Sequence, residues 1–132
     1  MSLTQIESKT VTVQKSADAL FEELQDFKNF EKAMPDSVIK FESDATSFLF
    51  GLKGMPEVRL VVQEQVKPEL IKFKSASSKI DFSLSCHING TGDNACETKF
   101  SFEGNFNPML KMMVERPLKN FIENLADKTA TL

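Results

Sequence analysis

The side chains best able to do chemistry in this 132-residue chain are one histidine, two cysteines and one oddly placed carboxylate. His87 is the usual type of general base, because an imidazole titrates near neutral pH. It alternates with Ile80, Phe82, Leu84, Cys86 and Ile88, so strand geometry turns it to the opposite, solvent-facing side. Cys86 and Cys96 fall on apolar faces. Two thiols are too few for a disulfide framework or a thiolate zinc site, and both read as buried free cysteines with no nucleophilic role. Glu64 is the anomaly, since a period of two sets it beside Val58, Leu60, Val62 and Val66. Either the carboxylate is desolvated, with a raised pKa and the ability to orient a ligand hydroxyl or act as acid or base, or the strand bulges or frays there and Glu64 reaches water. Gly51 and Gly54 are followed by no Lys-Ser or Lys-Thr pair and open no helix, so they read as turn residues rather than a phosphate loop. No catalytic residue, metal site or cofactor is assigned.

The elements that must position these residues are marked by changes of period. Thr4 to Gln14, rich in Thr and Val, reads as a first strand. Ser16 caps a helix carrying Leu20, Phe21 and Leu24, and a second short helix with Phe27, Phe30 and Met34 stops at Pro35. From Ser37 the period becomes two. Ile39 and Phe41, then Phe48, Phe50 and Leu52, mark two half-buried strands; Gly51 to Pro56 turns into the strand of Glu64. Lys67-Pro68-Glu69 turns again into Ile71 and Phe73. Ile80 to Asn89 is the clearest strand, and the last one sets Cys96, Thr98, Phe100, Phe102 and Phe106 on one side. A hairpin centred near Thr91 brings Cys86 opposite Cys96. Asn107-Pro108 then starts a helix to about Lys128, with Leu110, Val114, Leu118, Phe121 and Leu125 on one face and Met113 and Ile122 at its flanks. Pro117 lies within it and predicts a kink.

The length fits one domain, residues 1–132, with enough chain for a real core. Twelve Phe without Trp or Tyr provide aromatic bulk that asks for no hydrogen-bond partner, so the rings fill a core or line an apolar pocket. A net charge of −3 without basic blocks disfavours nucleic acid as a partner. There is no apolar run of membrane-span length and no signal-peptide pattern, so a cytoplasmic location is expected.

The order of elements resembles the helix-grip fold of the START and Bet v 1-like superfamily, which includes bacterial polyketide cyclase and lipid-transport-like proteins. The stretch Val11 to Leu24 looks like that superfamily's first strand and capped helix, and Phe27 to Pro35 is similar to its second helix, with Phe30 where many relatives carry Trp. The resemblance implies an α+β fold. Its parts are a seven-stranded curved antiparallel sheet, two short N-terminal helices and a long C-terminal helix packed across the sheet, in the order β-α-α-β6-α.

It also implies binding of a small hydrophobic molecule, lipid- or polyketide-like, in a cavity between sheet and helix, and because the residues offer only Glu64 as an inward acid or base, binding without catalysis is expected. The candidate lining is Phe48, Phe50, Leu60, Val62, Phe73, Phe82, Leu84, Phe100, Met113 and Phe121, with Glu64 and Asn124 fixing a polar end. An enzyme of the polyketide cyclase or dehydratase kind is the first alternative, and it needs a convergent acid or base pair. A module with a filled core that binds a protein partner is the second. Exposed methionines at Met109 and Met112 would favour it, or a homodimer contact.

Overall fold

A computed structural model describes residues 4–34, 38–52, 57–76 and 82–131. The expected stop at Pro35, the turn residues Gly54 and Pro56 and the strand start at Ile80 and Asp81 lie outside the described residues. The elements are β1 (Thr4–Glu7), β2 (Val11–Val13), α1 (Ala17–Gln25), α2 (Lys28–Ala33), β3 (Val38–Ser43), β4 (Ser47–Leu52), β5 (Val58–Val66), β6 (Leu70–Ser75), β7 (Phe82–Gly92), β8 (Ala95–Gly104) and α3 (Pro108–Thr129). All strands join one antiparallel sheet in the order β1-β8-β7-β6-β5-β4-β3, and β2 also pairs with β8. Since β1 and β2 lie end to end along β8, the segments make the expected seven ranks, curled into a half-barrel around α3.

The first strand is not continuous, and Ser8 is the reason. Its N–H donates to the Phe100 carbonyl at 2.8 Å, while its hydroxyl accepts from the Phe100 N–H at 2.9 Å and donates to the Lys9 carbonyl at 2.8 Å. Glu7 opposes Ser101 and Val11 opposes Thr98, so three residues stand against two. The extra residue reverses the alternation: Thr4 and Ile6 point inward before it, Val13 after it.

Three further register shifts bend the sheet. One lies between Val38 and Lys40, leaving Ile39 exposed where alternation had put it inside with Phe41. The second lies between Val62 and Glu64, and the third between Gly90 and Gly92. That third shift corrects the hairpin as well. β7 runs on to Gly92 and the turn falls at Asp93 and Asn94, so Cys86 opposes Phe100 and Cys96 opposes Gly90 rather than each other.

The helices form where their caps allow. Ser16 Oγ accepts from Ala19 N–H at 3.1 Å and Asp18 sits in the first turn of α1. Asn107 Oδ1 accepts from Leu110 N–H at 2.8 Å at the head of α3, with Pro108 in the first turn, where its missing N–H costs nothing. The helix continues through Pro117, whose ring nitrogen gives the Met113 carbonyl no donor. Its buried face is Val114, Leu118, Phe121, Ile122, Leu125, Ala126 and Thr129. No helix among the described residues is long and apolar enough to cross a membrane.

Phe48 sits where α2, β4 and β6 meet and is fully buried, so Phe48→Ala is expected to cost about 3–5 kcal/mol in urea denaturation. Asn107→Ala removes only the cap of α3 and is expected to cost about 1 kcal/mol.

Candidate functional site

The concave side of the sheet and the buried face of α3 enclose a continuous seam of phenylalanine rings. Phe30 stacks on Phe48 at 5.2 Å, and Phe73 meets Phe48 edge-on at 5.1 Å and Phe27 at 5.4 Å. Phe48 passes the contact to Phe50 at 6.1 Å, and Phe50 stacks on Phe121 of α3 at 4.9 Å with the planes 6° apart. From Phe121 the seam continues through Phe102, Phe82 and Phe106. Leu60, Leu84 and Phe100 are buried beside these rings, and Val62 is half-buried against them.

Polar groups hardly enter this interior. The Thr98 hydroxyl donates to the His87 carbonyl at 2.8 Å and lies 3.6 Å from Cys86 Sγ; Thr129 returns its hydroxyl to the Leu125 carbonyl at 2.8 Å. Among the described residues no buried side-chain nitrogen or oxygen lacks a partner, and no group of His, Cys, Asp and Glu could hold a metal ion. Burial pushes the Cys86 thiol up to about 12, against the small opposing pull of Thr98, and raises Cys96 as well. Both cysteines are free and protonated at neutral pH, which makes them packing groups rather than nucleophiles.

His87 stands on the outer face, where alternation put it. Its Nε2 lies 3.4 Å from Ser101 Oγ, but that serine is only 3% exposed, so no substrate carbonyl reaches the hydroxyl. Partial burial and the neighbouring Lys99 hold the imidazole pKa below its usual value, with Lys72 adding to them and Glu7 and Glu103 opposing. A groove of about 630 Å³ lies elsewhere, between β1 and the first half of α3.

No protein-family model matches this sequence, and no curated protein matches it either. Solved structures do match over nearly the whole chain. Norcoclaurine synthase from Thalictrum flavum, in complex with dopamine and hydroxybenzaldehyde, superposes with a TM-score of 0.73 at 19% identity, covering 98% of this chain and 86% of that one. A START superfamily protein from Mycobacterium smegmatis gives 0.65 at 13% identity, covering 96% and 97%. A Thermobifida fusca protein gives 0.67 at 13%, covering 97% and 94%. The chain has the START/Bet v 1-like helix-grip fold. At these identities the likeness speaks for the fold alone.

Within this helix-grip fold, Phe48, Phe50, Leu60, Phe73, Phe82, Leu84, Phe100 and Phe121 are brought together inside, with Val62 at their margin. Three residues expected there are not. The shift between Val62 and Glu64 adds a residue at Gln63, after which Glu64 opposes Lys72 on the outer face. Glu64 and Val66 are therefore exposed, and the carboxylate reaches water instead of the interior. Met113 and Asn124 are exposed by helix geometry: at 3.6 residues per turn they lie about 140° and about 120° from Leu118, the middle of the buried face. Met109, Met112 and Met113 are 74%, 84% and 60% exposed. The groove beside β1 had no signal in the alternation pattern, because it depends on how far the sheet edge stands from α3.

Two expectations follow for the native protein. Neither Cys86 nor Cys96 should react with Ellman's reagent at pH 8 until the chain is unfolded; fast reaction of either would contradict their burial. Because the folded pKa of His87 is depressed, the unfolded chain binds the proton more readily, and stability falls as pH drops below about 6.5 toward the folded value. In His87→Gln that part of the slope should flatten, as read by urea midpoints between pH 5 and 8.

Proposed function

We propose that this helix-grip domain binds a small hydrophobic molecule between its sheet and α3, by burial and without chemical turnover. The observation that carries this reading is the lining: the described inward face consists of phenylalanine and aliphatic side chains, with polar oxygens that already have partners. Such a surface solvates apolar groups and offers nothing to a charge. Each 100 Å² of ligand area removed from water there contributes about 2.5 kcal/mol before the cost of ordering the ligand. Norcoclaurine synthase, of like fold, is in complex with two aromatic compounds, which supports a ligand with a ring or a chain of similar size. The proposed lining runs from Phe48 and Phe73 through Phe50 and Phe121 to Phe82, Leu84 and Phe100, with Leu60 and Val62 beside them. Glu64 and Asn124 take no part in it, since both face solvent.

A cyclase or dehydratase reading draws no support from these groups. The described interior brings no carboxylate or imidazole into reach of a ligand, and its two thiols are held protonated. The filled-core, partner-binding reading has two observations in its favour: the inward rings pack directly on one another, and the methionines at the head of α3 are exposed, where flexible thioethers suit an adaptable contact.

Native mass spectrometry of protein freshly purified from its own organism, followed by solvent extraction, separates these readings. A stoichiometric apolar adduct is expected. Phe82→Ala should lower its occupancy while Glu64→Gln leaves it unchanged; because Phe82 is buried its variant melts lower, so occupancy is compared at a temperature where circular dichroism shows both variants folded. A clean apo mass in the parent protein, with a bound protein partner instead, would favour the filled-core module.

A further inference from the structure

The open edge of the sheet carries an inference independent of the interior. β1 is the terminal strand and pairs with β8 on one side only. The bond from Ser8 N–H to the Phe100 carbonyl places Ser8 in a hydrogen-bonded pair with β8. By the two-residue alternation of an antiparallel ladder, Ile6 and Thr4 bond to β8 as well, and the main-chain groups of Gln5 and Glu7 turn outward to the free edge. Helix α3 caps part of that edge: Lys119 Nζ donates to the Glu7 carbonyl, and Glu123 accepts from Lys9 N–H at 2.6 Å. No described residue caps the N–H and carbonyl of Gln5 or the N–H of Glu7. This stretch is also where the groove of about 630 Å³ opens, with β1 on one side and Lys111, Glu115, Arg116, Lys119 and Asn120 on the other.

The charges in the groove are paired except for one. Glu115 lies 3.8 Å from Lys111, and Lys119 lies 3.7 Å from Glu123. The Glu7 carboxylate turns to Lys99 at 3.2 Å and to Gln5 Nε2 at 3.0 Å. Among the described residues that line the groove, Arg116 alone is a cation with no anionic partner. Its planar guanidinium presents a fork of donors matched to a carboxylate.

We propose that the uncapped edge of β1 takes up an extended acidic peptide segment of a partner protein as an added strand, with Arg116 pairing its carboxylate. Strand addition uses the N–H and carbonyl of Gln5 and the N–H of Glu7 for affinity, and the single unpaired cation sets the preference for an acidic side chain.

The test starts from a phage-displayed heptapeptide library panned on the intact protein, followed by fluorescence anisotropy of the selected peptides. Enrichment of Asp or Glu at one position is expected, with saturable binding weakened at least tenfold by Arg116→Ala. Gln5→Pro removes an N–H that points away from β8, so it should spare the sheet yet weaken binding at least tenfold, whereas Gln5→Ala keeps the donor and should bind like the parent. Circular dichroism melts check that each variant folds; should Gln5→Pro not fold, Arg116→Ala still decides. Failure to select any saturable binder, selection without acidic enrichment, or unchanged affinity in Arg116→Ala overturns the proposal. Sedimentation velocity covers the other occupant: a dimer of the parent chain that Gln5→Pro abolishes would assign the edge to a second copy and overturn it too.

Discussion

Phe121 of α3 stacks on Phe50 and reaches Phe102, so one ring of the long helix ties together strands far apart in the curled sheet. In the stacked pair one ring belongs to β4, next to the edge strand β3, and the other to the long helix, with their planes 6° apart at 4.9 Å. Offset stacking and burial reward that approach, but a flat sheet could not reach it together with the contacts of Phe102 and Phe82 on the far strands. The sheet must therefore curl, and the register shifts supply the bending. Each adds a residue to one strand, sharpens the twist and reverses which side chains face inward.

That reversal links mechanics to chemistry. Gln63 as an extra residue sends Glu64 outward to face Lys72, and with it goes the one carboxylate that simple alternation would place in the interior. What stays inside is apolar apart from hydroxyls that bond to nearby carbonyls. An interior of this kind discriminates by shape and by exclusion of charge, because an unpaired polar group brought into it would lose water and gain nothing.

The helix also manages the sheet's open flank. Lys9 pairs with Asp127 at 2.6 Å, and side chains of α3 cap main-chain groups at Glu7 and Lys9. These are exposed ion pairs, individually worth little, yet they close an edge that would otherwise present unpaired strand groups to solvent. The capping stops short of Gln5, and the groove lies where it stops.

Much of this was legible in the chain. The alternation of Phe82, Leu84, Cys86 and Ile88 fixed their faces, because a strand has no other way to arrange them once one side is buried. Asn107-Pro108 marked the head of α3 because an amide oxygen and a preset backbone angle act locally. Ile39, Val66 and the pairing of the cysteines were not legible as single positions, and for Glu64 the chain left open both a buried carboxylate and the bulge that the structure has. Their faces hang on one inserted residue in a strand, and whether a strand inserts one is settled by its neighbours and by the curl needed to reach α3. Met113 and Asn124 depended likewise on which arc of the helix the sheet covers. Local chemistry thus determined the elements, their order and the apolar character of the interior. Only the tertiary structure decided which side chains enter it and which edge stays open, since bulge positions and the distance from β1 to α3 arise from packing the whole sheet around one helix.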